Sequence, residues 1–199
     1  TNLFDPNRYA GYDRIENGPR ASYGLRGQVQ MEDKSVDWLI GQNYRLNNSD
    51  TFPYSNDPDS FFSDYVGKVG LTYDPFAIAY RFRLDKDNLS AQRQEVDASV
   101  QYDPVLFTVS YLSLNNDPSL ADKEVVSATT NLKLHKNWML TMSGSEDLEL
   151  NQVTGTSGGL IFTNECMSVG TYVGRTYTRD RDIKPSTTVL FRISLKNLE

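Results

Sequence analysis

The chain has 199 residues, enough for one domain, but only 38% are hydrophobic while 12% are aromatic, and its formal charge of -6 offers no basic stripe for a nucleic-acid backbone. No run approaches the ~18 consecutive apolar residues that a spanning helix needs. That excludes a helical membrane protein and leaves a membrane barrel open, because the polar inner face of a barrel dilutes the hydropathy of every strand.

In chain order, residues 1–19 are expected to be a loop segment on the outer side of a barrel, and strand signals follow. Tyr23, Leu25, Val29 and Met31 alternate with Ser22, Arg26, Gln28 and Gln30. Val36, Trp38, Ile40, Tyr44 and Leu46 make the next apolar row, and Tyr65, Val69, Leu71 and Tyr73 the third. The clearest row is Phe76, Ile78, Tyr80, Phe82 and Leu84, opposed by Ala77, Ala79, Arg81, Arg83 and Asp85. Rows then run through Val96 to Tyr102, Val105 to Tyr111, Val126 to Leu134, Trp138 to Met142, Leu160 and Phe162, Val169 to Tyr177, and Val189 to Leu195. About eleven strands result, and the Gly-rich stretch 153–159 carries the weakest signal.

The links between rows alternate in length. Short ones fall at Glu32 to Asp33, Asp74-Pro75, Asp103-Pro104, Lys136-Asn137 and Asn164-Glu165. Longer polar ones span 47–60, 85–90, 115–123, 146–151 and 178–186. An up-and-down barrel has tight turns on one rim and longer loops on the other, whereas a Greek-key sandwich would mix the two. Tyr73, Phe76, Tyr102, Phe107, Trp138 and Phe162 lie near the short turns, where aromatic rings can sit at headgroup level. Ordinary β-propensity also favours aromatics, and the agreement of strand length and link alternation gives the girdle more weight. The fold class expected is therefore all-β, an antiparallel up-and-down transmembrane β-barrel in part, with about eleven strands. Eleven strands leave two edges that lipid cannot hydrogen-bond, and the chain starts at Thr1 without a leader; it reads as a fragment, residues 1–199 forming the C-terminal part of a larger barrel.

Little in the sequence supports bond-making chemistry. The single His135 has no Cys, His or Glu at ligand spacing and reads as a solvated rim residue. The acids Asp57, Asp59 and Asp64, or Glu146, Asp147 and Glu149, follow no EF-hand pattern. A hydrolase triad has no support either, so no enzyme and no cofactor is expected. Arg81 and Arg83, with Arg26, Arg45, Lys68 and Lys133, fall on inward positions beside Asp37, Asp64, Glu95 and Asp97. These charges either pair and stiffen the wall or handle an anionic solute or a phosphorylated glycolipid head.

Two stretches carry more than barrel patterning. The run Asn7-Arg8-Tyr9-Ala10-Gly11-Tyr12-Asp13-Arg14, continuing to Arg20, resembles the signature of the LptD (OstA/Imp) family of lipopolysaccharide-assembly outer-membrane barrels, with Asn7, Arg8, Gly11, Asp13 and Arg14 as its loop motif. Asn164-Glu165-Cys166, then Tyr177 to Thr187 and Phe191-Arg192, resemble that family's C-terminal strands, particularly in alphaproteobacterial members.

The resemblance implies an outer-membrane translocon of a Gram-negative bacterium that inserts lipopolysaccharide into the outer leaflet through a lateral opening. It implies an LptE-like lipoprotein plug and an LptA-like periplasmic bridge reached through an N-terminal domain outside this chain. It makes 187–196 the last strand and one side of the gate, with Thr187, Thr188, Val189, Leu190, Phe191, Arg192 and Ile193 on it. It also implies that Cys166, in a turn on the oxidising periplasmic side, bonds to the periplasmic domain. Many members carry two adjacent cysteines there, whereas Met167 follows Cys166 in this chain. Two other readings stay open: a passive porin-like solute channel, and a soluble β-structural binding module.

Overall fold

The computed structural model describes residues 19–46, 61–115, 122–178 and 184–196, and every regular element among them is a strand. The elements are β1 (Arg20–Gln30), β2 (Lys34–Arg45), β3 (Tyr65–Tyr73), β4 (Phe76–Leu84), β5 (Ala91–Tyr102), β6 (Val105–Leu114), β7 (Lys123–His135), β8 (Trp138–Asp147), β9 (Gln152–Thr163), β10 (Met167–Thr176) and β11 (Ser186–Leu195). They form one sheet in which each strand hydrogen-bonds to its neighbours in sequence, from β1 through β11. The two end strands are not paired with each other, so the sheet is an open one of the up-and-down barrel class.

The links follow the expected alternation. Strands after an odd-numbered one begin within a few residues: 31–33, 74–75, 103–104, 136–137 and 164–166. Met31 N–H donates to the Lys34 carbonyl at 2.7 Å, and Asn164 N–H to that of Met167 at 2.9 Å, closing two of these turns. The β4–β5 link occupies 85–90, as the polar run there predicts. The loop motif at Asn7, Arg8, Gly11, Asp13 and Arg14, the segment 1–18 around it, and the whole of the 47–60 loop lie outside the described residues.

By contacts the chain divides into two units, one of residues 1–73, 78–96 and 112–122, the other of 74–77, 97–111 and 123–199. In the first, β1 and β2 pair so that Leu25 faces Ile40 and Val29 faces Val36, and β2 and β3 set Val36 against Leu71 and Trp38 against Val69. In the second, Leu132 faces Leu140, Trp138 faces Phe162, Phe162 faces Val169, and Val169 faces Ile193. Because the side-chain period of a strand is two, each match places whole rows together, and a one-residue slip would exchange the faces.

Rings cover cross-strand glycines along these ladders. The Trp38 indole fills the space a β-carbon on Gly27 would need, and the Tyr172 ring does the same over Gly159. A strand glycine leaves its neighbour's backbone uncovered, and an aromatic partner restores the lost contact. The weak Gly-rich stretch 153–159 is thus the first half of a full strand, β9, whose register with β8 shifts at Ser145/Glu146. Tyr44 continues the alternation of its apolar row, and its ring packs against Phe61 and Phe62 at 6.0 and 4.9 Å, where Phe62 bridges to the end of β2.

Candidate functional site

The apolar rows do not pack on one another. Among the described residues the only buried large hydrophobic side chain is Leu114, while Leu25 is 67% exposed, Phe191 60% and Val189 68%. A water-soluble sandwich would bury these rows between two sheets. Here they make a continuous oily surface in each unit, far beyond what an aqueous monomer leaves uncovered. Hydrocarbon is the solvent such a surface fits.

The opposite face is polar, and its character differs between the units. In the first, Lys68 Nζ meets Asp37 Oδ2 at 2.9 Å. Arg81 donates from Nε to Glu95 Oε2 at 2.8 Å, and Arg93 pairs with the same carboxylate. Arg83 donates to Asp64 Oδ2 and to Gln92 Oε1, both at 2.7 Å. The charges of this polar face therefore meet as ion pairs, and Arg81, Arg83 and Glu95 belong to that network. Asp97, in the second unit, accepts from Ser110 Oγ at 2.5 Å.

From β7 to β11 hydroxyls are the more frequent polar groups, beside Lys133 on β7 and Arg192 on β11. Ser127, Thr129, Ser143, Ser145, Ser157, Thr176 and Thr188, with Gly155 and Gly174, line a concavity of about 420 Å³. Ser143 and Ser157 hydroxyls lie 2.7 Å apart, and those of Ser145 and Thr154 2.6 Å. Arg175 also borders this concavity, so its lining is mainly hydroxyls and glycine with one cation at the edge. Its sequence signal is Ser, Thr and Gly on alternate positions of β8 to β10, residues that add nothing to an apolar row.

Of the residues expected at a gate, Thr187 to Ile193 all lie on β11, an edge strand paired on one side with β10. Val189, Phe191 and Ile193 continue the apolar face, opposite Val173, Thr171 and Val169, while Thr188, Leu190 and Arg192 face the other way, opposite Gly174, Tyr172 and Gly170. Cys166 is an exposed free thiol in the β9–β10 turn, and its N–H donates to Asn164 Oδ1 at 2.9 Å. Sequence reasoning missed Asn43, which is 1% exposed near the end of β2 and whose side-chain polar atoms have no hydrogen-bond partner among the described residues. An ordinary Asn beside a loop carries no sign of such burial. His135 closes β7 opposite Trp138, and no group of metal-binding side chains occurs among the described residues.

A meandering sheet of eleven strands, oily and uncovered on one face and polar on the other, defines a transmembrane β-barrel wall. The family model described as LptD, LPS transport system D, matches residues 1–141, and the chain belongs to that family. It is a family of lipopolysaccharide transport and assembly at the outer membrane rather than of enzymes. No curated protein matches the chain in sequence.

Proposed function

We propose that this chain is the C-terminal part of an outer-membrane translocon that inserts lipopolysaccharide into the outer leaflet through a lateral barrel opening. The observation that carries the reading is the exposed apolar face backed by a polar one, together with membership of the family. Acyl chains and a sugar head need different surroundings at the same moment, and a barrel wall that can part sideways supplies both. The inward face would surround the wet path, and β11 would form one side of the seam.

Two features of β11 support the gate assignment. Its polar row faces Gly170 and Gly174, which offer it little side-chain contact. Pro185 precedes it and lacks a ladder donor. An LptE-like plug would meet the inward face, and an LptA-like bridge would deliver lipid through an N-terminal domain. Cys166, exposed in a short turn, would bond to that domain under periplasmic oxidation.

The test uses the full-length protein in cells, with one cysteine placed on β11 and another on the strand across the seam. Oxidised crosslinking should stop lipopolysaccharide reaching the surface, and reduction should restore it. Unimpaired export from a fully crosslinked barrel would reject the lateral opening. A porin-like channel would instead pass small solutes in both states.

A further inference from the structure

The apolar face of β10 ends in a cation. Val169, Thr171 and Val173 alternate outward, and Arg175 takes the next position on the same face, ~6.6 Å further along the strand at the usual rise. Its guanidinium lies 5.0 Å from the centre of the Tyr177 ring. Tyr177 in turn places its hydroxyl 3.3 Å from Thr156 Oγ1, and Thr156 is the β9 partner of Arg175. Thr187 is its partner on β11. Arg175 is exposed, and among the described residues no carboxylate pairs with it.

We infer that Arg175, seated on Tyr177 at the long-loop end of this row, is a docking point for the phosphate headgroup of a membrane lipid whose acyl chains lie over Val173, Val189 and Phe191. The inference rests on the reading of the apolar face as lipid-facing. A guanidinium is weakly hydrated and presents a fork of donors matched to phosphate oxygens. The tyrosine ring takes one flat face by cation–π attraction and leaves the N–H edges free. Thr156 and Thr187 flank it with hydroxyl donors. The cost of an outward arginine is large at mid-bilayer and falls toward the interface, which is where the end of the row would lie. In the other unit, Lys34 sits 4.7 Å over the Tyr73 ring at the short-turn end of its own apolar row, so a cation on a tyrosine ends an oily row there as well.

Native mass spectrometry of the full-length protein in detergent, offered dioleoyl phosphatidic acid or dioleoyl phosphatidylcholine, reads the preference for an exposed phosphate. The wild type should retain phosphatidic acid preferentially, Arg175→Gln should cut that preference about threefold, as an exposed ion pair allows, and Arg175→Lys should keep part of it. Heat-modifiable migration of each variant confirms folding, and inorganic phosphate should not displace the lipid. An unchanged preference in folded Arg175→Gln, or displacement by inorganic phosphate alone, overturns the inference. A spin label on Val173→Cys in bilayers tests the underlying reading separately. If the label is reached by oxygen and shielded from a polar relaxant while Arg175→Gln changes nothing, only the headgroup site fails; if it is open to the polar relaxant, the lipid-facing assignment fails with it.

Discussion

Asp37 and Gly70 face each other across the β2–β3 ladder, and the Asp37 carboxylate stands where a β-carbon on Gly70 would have to go. The absent side chain is what lets that carboxylate reach Lys68 at 2.9 Å. Gly144, on the apolar face of β8, has no atom within 4 Å of its β-carbon position. Gly70→Ala should therefore cost about 1 kcal/mol by pushing the acid off its lysine, while Gly144→Ala should be neutral or stabilising by about 0.5 kcal/mol through reduced freedom of the unfolded chain. Urea unfolding of the two variants in matched detergent compares them, and equal losses would show that the gap above Gly70 is not used.

Glu95 serves two guanidiniums, with Arg81 the more enclosed partner: the Arg81 side chain is 29% exposed and that of Arg93 49%. Glu95→Gln should cost about 1–2 kcal/mol, since it leaves partly enclosed positive charge without its acid, whereas Arg93→Gln should cost under about 0.5 kcal/mol. A double-mutant cycle between Arg81 and Glu95 should return a larger coupling than one between Arg93 and Glu95. The reverse order would move the weight of the network to the rim.

The sequence makes the strands and their links readable because both depend on short-range pattern: period two fixes the faces, and turn residues fix the rims. The link 85–90 and the row Phe76 to Leu84 are seen as expected. Partner choice on the polar face is different. That Arg81 meets Glu95 while Arg83 reaches Asp64 depends on side-chain geometry across three strands, which no local pattern encodes. β9 looked weak because glycine contributes nothing to an apolar count, and the compensating ring of Tyr172 comes from the next strand. Tyr44 keeps its place in the alternation, and its partners Phe61 and Phe62 lie beyond the loop after β2, where no local pattern announces them.

Asp85, just past the end of β4, makes the β4–β5 link sensitive to acid. Its Oδ1 accepts the N–H groups of Asn88 at 3.0 Å and Asp87 at 2.9 Å, and its Oδ2 accepts from Gln92 Nε2 at 3.0 Å. The Asn88 amide, followed by that of Asp87, holds the carboxyl below its ordinary value of 3.8. A depressed acid contributes fully above its unfolded value and loses that contribution as pH falls through its folded one. The loop should thus stay ordered from neutral pH down to the ordinary carboxylate range and loosen only in stronger acid. The carboxyl carbon resonance of Asp85 should titrate with a midpoint under 3.8, and Asp85→Ala should remove the ordering at every pH. A midpoint at or above the ordinary value would contradict the assignment of these amides as its donors.

Tyr172 lies flat on the polar face of β10, over Gly159 of β9 and Gly170 of its own strand. Both glycines are needed for that pose, because a β-carbon at either would clash with the ring, well inside ordinary contact distance. Gly159→Val should lift the ring and cost about 1–3 kcal/mol, as overpacking does. Tyr172→Ala should also destabilise, by uncovering the glycine backbone that the ring now covers. The combination is the informative variant. Once the ring is gone, valine at 159 meets the Thr141 methyl group, 3.1 Å from its β-carbon, and adds β-propensity, so the double variant should be more stable than either single one. Equilibrium unfolding of all three decides it, and simple additivity of the two losses would mean that the ring and the glycine do not share the space assigned to them.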